Sequence, residues 1–221
     1  MGSAAEFTPA MSPPPGKKTN LADPEYCGTN LIAAACVVHP LAVIALAVRT
    51  WTRLFVVRSF RIDDCLMVVA LALDVVMVAF MLEMLNWGLG KHMWDVPMSS
   101  FTPKFLKFNL IATVFYCAGT GFNKASVLLF YNRIFPSPRL HIAVWVLTFI
   151  AVGYNIAAVF ANIFACDPIA MIWDSTIKGT CIRRDMFYRA IAALGVVTDF
   201  AIVAIPMCVF LLFQSHAARY L

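Results

Sequence analysis

Five long apolar runs, separated by short charged loops, occupy most of this 221-residue chain. They lie near residues 29–48, 62–85, 105–132, 142–165 and 189–213. A helix needs roughly 20 residues, at ~1.5 Å rise each, to cross a ~30 Å hydrocarbon core, and each run meets that length. Spanning β-strands would alternate polar and apolar residues over about ten positions, and these runs do not. The sequence therefore predicts an all-α fold, a polytopic transmembrane helix bundle with five spans.

The composition agrees with a membrane environment. Hydrophobic residues make up 62% of the chain and charged residues 13%, whereas about a quarter of an ordinary soluble domain is charged. The net charge is +5, but the basic residues are scattered among loops and flanks. We therefore expect membrane lipid, and no nucleic acid, as a partner. Residues 1–28 are rich in proline and poor in large apolar side chains, and this pattern predicts a disordered N-terminus.

The loop over residues 49–61 predicts the orientation. It carries no acidic residue and four basic ones, Arg49, Arg53, Arg58 and Arg61. Such a loop favours the cytoplasmic side, and the first helices usually dominate orientation. Counting every basic residue outside the spans does not decide the question, since each side has seven. We expect an outside N-terminus and a short cytoplasmic tail over residues 214–221. The arginines either only set orientation and contact anionic lipid, or also report a conformational change.

Two cysteines bear on the same question. Cys166 and Cys181 lie in one connecting loop, which this orientation places outside. A bridge between them would stabilise the fold by ~3 kcal/mol in the chain-entropy model, and it requires an oxidising compartment. The alternative is two unpaired thiols. The other five cysteines have no metal-like spacing and are expected to be packing residues or, for Cys27, an external thiol.

Ionisable residues within the spans are functional candidates because a charge in a bilayer is costly unless it is paired. We predict an intramembrane polar network of Asp64, Asp74, Lys124 and Asp199. From their depths, Lys124 should approach Asp74 or, by extending toward the headgroups, Asp64. The network either fixes helix packing or takes part in a switch. The Gly119-Thr120-Gly121 segment is expected to mark a close helix approach.

Motifs for common catalytic chemistry are missing. The four histidines have no paired ligand spacing and are expected to be interfacial or packing residues. The chain contains no G-x-S-x-G elbow, C-x-x-C pair or phosphate-binding loop. We expect no enzymatic activity, no catalytic residue, no metal and no cofactor.

Several segments resemble the fungal rhodopsin-like membrane proteins, a family that includes candidate G-protein-coupled receptors. Residues 124–136, K-A-S-V-L-L-F-Y-N-R-I-F-P, are similar to the family's third-helix signature. Further blocks agree in order: Arg49 with Thr50 and Arg53, Asp63-Asp64, Gly88 to His92 with Asp95 to Pro97, Cys166 to Pro168 with Trp173-Asp174, Gly179 to Cys181, Thr198-Asp199 and Ile205-Pro206. The resemblance covers roughly residues 27–214.

The resemblance implies a bundle of seven helices with an outside N-terminus, in which Cys166 and Cys181 bridge an outer loop. Family members are mostly proposed as plasma-membrane sensors. This chain stops at Leu221, just past the fifth span, so we expect a truncated member with five of seven helices. Opsins hold retinal through a lysine of the seventh helix, whereas Lys124 is similar to the family's third-helix lysine. No chromophore is expected.

Three functions are open as hypotheses. The first is a receptor-like sensor with an extracellular ligand and a cytoplasmic signalling partner, neither of which the sequence identifies. The second is a proton- or cation-coupled transporter that uses the same buried acids, although no inverted repeat is visible. The third is a membrane scaffold or fragment without independent signalling.

Overall fold

The computed structural model describes residues 9–16, 19–20, 24–134, 138–174 and 176–217. Within these ranges lie five long helices, α1 (Gly28–Trp51), α2 (Ile62–Asn86), α3 (Leu106–Ile134), α4 (Pro138–Ile163) and α5 (Arg184–Ala217). Each contains a segment that is long and apolar enough to cross a bilayer. The prediction of an all-α, multi-pass membrane protein is confirmed. Residues 214–217 of the predicted tail continue α5, and the rest of that tail lies outside the described residues.

Short elements connect the helices. A π-helical turn at Thr52–Val56 extends α1, and a helical turn at Met98–Ser100 followed by a π-helical turn at Phe101–Phe105 leads into α3. Single 3₁₀ turns occur at Met93–Asp95 and Ile169–Ile172. Strand β1 (Cys166–Asp167) pairs antiparallel with β2 (Thr180–Cys181) in the α4–α5 connection.

The helices alternate in direction, so the bundle has two distinct ends. The arginine end carries the α1–α2 connection with residues 52–61, and the disulfide end carries the α2–α3 and α4–α5 connections. The N-terminal segment lies against the disulfide end. There the Ala10 and Cys27 amides donate to the carbonyls of Val96 and Gly90, at 2.9 and 2.8 Å. Parts of residues 1–28, which we predicted to be disordered, therefore have defined contacts.

Packing is closest in the middle of the chain. Helix α3 lies between α2 and α4 and packs extensively on both, whereas α1 approaches α2, and α5 approaches α4, at far fewer positions. Small residues allow this approach: a Cβ added at Gly121 would lie 3.2 Å from the Asn155 Cβ, and one at Gly119 would lie 3.5 Å from the Ala70 carbonyl. The predicted close approach at this segment is confirmed. The residues buried at the centre of the α3–α4–α5 contact are Leu128, Val144, Ala151 and Ile202.

The outward surface of the spans is apolar. Phe149 on α4 and Phe200 on α5 are 81% and 73% exposed, and many aliphatic side chains of α1 and α2 point outward as well. In water such a surface would associate, whereas lipid tails solvate it. The exposed apolar faces therefore fit a protein surrounded by hydrocarbon.

Candidate functional site

Lys124 is the centre of a polar cluster between α3, α4 and α5. Its side chain is 5% exposed. The ammonium Nζ donates to the Thr198 Oγ1 at 2.7 Å, to the Tyr154 hydroxyl at 2.8 Å and to the Gly195 carbonyl at 3.1 Å. It also lies 3.0 Å from the Asp199 Oδ1. Every ammonium proton therefore has an acceptor, and the buried charge has a counter-ion.

Thr198 extends this cluster along α5. Its hydroxyl donates back to the Leu194 carbonyl at 2.8 Å while it accepts from Lys124. A hydroxyl has one proton and two lone pairs, so it can make both bonds. Asp199, in contrast, is 66% exposed on the open side of α5. The ion pair thus joins a fully enclosed cation to a carboxylate at the surface of the described bundle.

The prediction that Lys124 pairs with Asp74 or Asp64 was wrong. Lys124 contacts Asp199, and not Asp74 or Asp64, because its side chain leaves α3 toward α4 and α5 and away from α2. The depth argument compared distances along the helix axes, but it did not fix the face of α3 on which the lysine lies. The single predicted network is replaced by three separate groups, around Lys124, Asp64 and Asp74.

The second group ties α1 to α2 at the arginine end. Asp64 is 2% exposed and accepts from the Arg49 Nε at 3.2 Å, with the Arg53 Nε at 3.9 Å. The Arg49 Nη2 lies 3.6 Å from the Oδ2 of Asp63. Both guanidinium groups also face the ring of Phe130 on α3, at 5.1 and 5.0 Å from its centre. Two arginines and two aspartates therefore form a compact, charge-balanced cluster, named here the arginine cluster.

Helix α3 holds this end of α2 as well. The Ser126 hydroxyl donates to the Asp63 carbonyl at 2.6 Å, and the Arg133 guanidinium donates to the carbonyl and the hydroxyl of Ser59. Of the four loop arginines in the prediction, Arg49 and Arg53 enter the arginine cluster. Arg58 and Arg61 have exposed side chains. The four predicted residues therefore divide into two that join helices and two that face outward.

The third group lies at mid-height between α1 and α2. The Nε2 of His39 is 3.1 Å from the Oδ2 of Asp74, and its Nδ1 is 3.1 Å from the Ala35 carbonyl. A cavity of about 300 Å³ opens beside Asp74 between α1, α2 and α3. Its walls are mostly apolar, and its polar lining residues are Asp74, Tyr116, Thr120 and Asn123. An acidic group at the wall of a membrane-embedded cavity suits recognition of a small ligand.

The disulfide end is covalently closed. Cys166 and Cys181 form a disulfide with Cα atoms 4.1 Å apart, within the two-stranded β1–β2 ladder, so the bridge we predicted is confirmed. Beside it, the Lys107 Nζ lies 5.4 Å from the centre of the Trp173 ring. Hydrogen bonds from the side chain and the backbone of Thr176 lower the pKa of Asp174 in the same loop. The Lys107–Trp173 contact thereby anchors this loop to α3.

Sequence reasoning missed several members of these groups. His39 was expected to be an interfacial or packing residue, and neither Tyr154 nor Phe130 was assigned a polar role. One signal was available for the histidine: His39 lies 11 residues after Gly28 and Asp74 lies 12 residues before Asn86. The two groups therefore have almost equal depth on neighbouring antiparallel helices. Tyr154 carries no comparable signal, because the apolar run of α4 does not show which of its faces meets α3 and α5.

Comparison with known proteins agrees with this fold. The model of the fungal rhodopsin domain matches residues 48–220. A polyenoic acids biosynthesis gene cluster protein of Metarhizium anisopliae is 25% identical, over 84% of this chain and 52% of its own length. A fugralins biosynthesis cluster protein of Gibberella zeae is 26% identical, over 90% of this chain and 51% of its own length.

A SAT4 family membrane protein of Emericella nidulans is 30% identical, over 58% of this chain and 34% of its own length. The chain thus spans about half the length, or less, of the curated relatives it matches. No solved structure matches it.

Proposed function

The chain belongs to the fungal rhodopsin domain family of membrane proteins, and from that premise we propose that it is a receptor-like sensor without catalytic activity. A small ligand enters the cavity beside Asp74 and biases the bundle between two arrangements of α1 against α2 and α3. The arginine cluster, on the same three helices, carries the change to a signalling protein. This mechanism is of the G-protein-coupled-receptor type.

Orientation and location are part of this proposal. The arginine end faces the cytoplasm, while the N-terminus and the disulfide end face outward, in the plasma membrane. The arginine-rich loop supports this sidedness through the positive-inside tendency. The Cys166–Cys181 disulfide supports it independently, because disulfides persist in oxidising compartments. The surrounding partner is membrane lipid, which solvates the apolar outer faces.

The observation that carries the proposal is the placement of the cavity relative to the arginine cluster. Asp74 and Asp64 are ten residues apart on α2, a distance of ~15 Å along the helix axis. His39 and Arg49, their partners on α1, are also ten residues apart. Both contacts between α1 and α2 therefore join the same two helices, with Pro40 next to His39 on α1. We expect a ligand that separates α1 from α2 at the cavity to act on the Arg49–Asp64 contact as well.

The cavity defines the ligand class. A volume of about 300 Å³ is at the lower end of the range for small-molecule pockets, ~300–1,000 Å³. It excludes a folded protein or a long peptide from the interior of the bundle. Mostly apolar walls with four polar residues suit a small apolar metabolite that carries a few polar groups. The names of the two relatives from biosynthesis clusters support a metabolite as the ligand.

A cavity-filling variant tests the proposal. The full chain, reconstituted in lipid nanodiscs, is exposed to a panel of small apolar amines, alcohols and polyenoic acids, and its thermal unfolding is recorded. The Thr120→Phe variant fills the cavity, and Ala157→Phe adds the same ring on the exposed face of α4 as the matched control. We expect at least one compound class to raise the Tm of the wild type and of the control, but not that of Thr120→Phe.

A second readout separates sensing from transport. Limited proteolysis of the loop at the arginine end should change when the active compound is bound, since a sensor must alter that end. Counter-flow of the same compound across sealed vesicles would instead indicate a transporter. If every compound shifts the wild type and Thr120→Phe equally, the cavity is not a binding site and the proposal is wrong.

A further inference from the structure

We propose that His39 and Asp74 form an intramembrane proton-binding site, which holds one exchangeable proton between the imidazole Nε2 and the carboxylate Oδ2. Its ligand is a proton drawn from the cavity beside Asp74. The inference does not depend on whether that cavity also binds a metabolite, because it rests on the contacts of the His39 ring and on the position of Asp74 near the middle of its span.

The Ala35 carbonyl fixes the first imidazole proton. A carbonyl oxygen only accepts hydrogen bonds, so the Nδ1 of His39 at 3.1 Å must carry a proton. The Nε2 is therefore the nitrogen that can gain or lose one. Because the Nδ1 proton is held by the helix's own backbone, the tautomer of the neutral ring is determined.

The contact with Asp74 then determines where a second proton must lie. With Nδ1 protonated, a neutral ring presents a lone pair at Nε2, and a carboxylate presents lone pairs at Oδ2, 3.1 Å away. Two lone pairs at that distance repel each other, so the contact is attractive only with one proton between them. That proton resides either on Nε2, as an imidazolium with a carboxylate, or on Asp74, as a carboxylic acid with a neutral ring. Both forms have a net charge of zero.

The surrounding hydrocarbon favours this one-proton state. Asp74 lies 12 residues from each end of α2, close to the middle of the span. There, a pair with no proton would carry one negative charge and a pair with two protons one positive charge, and both are costly in lipid. The electroneutral state is the one that a bilayer stabilises.

Few other groups face the pair. On α1 and α2 the nearest charged residues at the arginine end are Arg49 and Asp64, ten residues away, and they neutralise each other. On α2 toward the other end, Glu83 accepts from Asn86 and Trp87. From α3, the titratable group at the cavity is Tyr116, beside the neutral Thr120 and Asn123.

Lys124 does not belong to the groups that face the pair. Its ammonium lies on the opposite side of α3, between α4 and α5. The proton between His39 and Asp74 is therefore governed by those two residues and by the cavity onto which Asp74 opens.

The test monitors both partners during one pH titration of the full chain in nanodiscs. Histidine labelled with ¹⁵N reports the His39 ring, identified by the signal that His39→Gln removes. Infrared difference spectra report the Asp74 carboxyl group, identified by the band that Asp74→Asn removes. We expect the His39 and Asp74 signals to follow the same macroscopic steps as the pH rises, because the two groups share their protons, and the step that leaves the one-proton state releases one proton per chain.

The Asp74→Asn variant is the decisive comparison. Its carboxamide can donate to the neutral Nε2, so the bridge between α1 and α2 survives without a shared proton. The coupled step should vanish in this variant and persist in Glu83→Gln, which removes an acid from the same helix. If Asp74→Asn does not fold, the wild-type data still decide, since separate steps for the two groups would overturn the proposal. An unchanged His39 titration in Asp74→Asn would overturn it as well.

Discussion

Replacing Lys124 with methionine removes the ammonium group while keeping an unbranched side chain of similar length. In the wild type this group holds Tyr154, Gly195, Thr198 and Asp199 on two other helices. The variant leaves four acceptors without their donor, and one of them is a carboxylate within a membrane span. We expect the loss to loosen α5 in particular, because α5 has few other contacts with the bundle.

The contacts of Lys124 determine how much stability the variant loses. Three hydrogen bonds to neutral acceptors contribute roughly 0.6 kcal/mol each on the average found in membranes, about 2 kcal/mol together. Loss of one partner of a fully buried ion pair costs about 3–5 kcal/mol. Because Asp199 is 66% exposed, only about 1 kcal/mol of that cost is expected here. The total is about 3 kcal/mol, which lowers the folded-to-unfolded ratio more than a hundredfold.

The assay is reversible unfolding in mixed micelles with increasing SDS, monitored by circular dichroism. Lys178→Met, at an exposed position of the α4–α5 connection, is the matched control and should shift the free energy of unfolding by less than ~0.5 kcal/mol. A double-mutant cycle with Asp199→Asn isolates the ion pair and should give a coupling energy of about 1 kcal/mol. Equal stability of the Lys124→Met and Lys178→Met proteins would refute the reasoning.

Other substitutions probe the remaining contacts. Arg49→Gln leaves two buried carboxylates underpaired and should lower stability by about 2 kcal/mol, while exposed Arg58→Gln should not, in the same SDS titration. Cys166→Ser should cost about 3 kcal/mol and speed proteolysis of the α4–α5 connection; unchanged cleavage would contradict this. Gly90→Ala should cost about 1–2 kcal/mol, because Gly90 has φ +87° and a Cβ there would lie 2.7 Å from the Gly28 backbone. Gly153→Ala, inside α4 with open space around it, should instead raise stability by up to about 1 kcal/mol by thermal melting, because alanine is the better helix former.

The sequence predicts the elements of this fold better than it predicts their partners. Run length and composition identify all five spans, because the bilayer imposes one length and one polarity on every helix. The same uniformity hides the rotation of each helix about its own axis. An apolar run that is hydrophobic on all sides gives little information about which face meets a neighbour, so Lys124 could be placed in depth but not in direction.

The candidate site shows the same limit in more detail. The Cys166–Cys181 bridge was predictable because the two residues share one short connection, which leaves few alternative partners for either cysteine. The Arg49–Asp64 contact joins residues on either side of one short loop, but Arg49 was interpreted as an orientation or reporting residue and Asp64 as a possible partner of Lys124, so the pair was not predicted. The pairs His39–Asp74 and Lys124–Asp199 each join two different helices. Predicting such a pair requires both the depth of each residue in the membrane and the rotation of each helix about its axis. The rotation depends on helix packing, which the sequence pattern does not show.

The close packing of α2, α3 and α4 and the looser packing of α1 and α5 should make the helices respond differently to solution conditions. The three middle helices pack closely because glycine and alanine let their backbones approach, whereas α1 and α5 make fewer contacts, and several of these are ion pairs or hydrogen bonds of charged side chains. Close packing of small residues does not depend on acidity, whereas ion pairs do, and enclosed ion pairs are screened little by salt. We therefore expect pH, more than ionic strength, to shift α1 and α5 first while α2, α3 and α4 stay packed together.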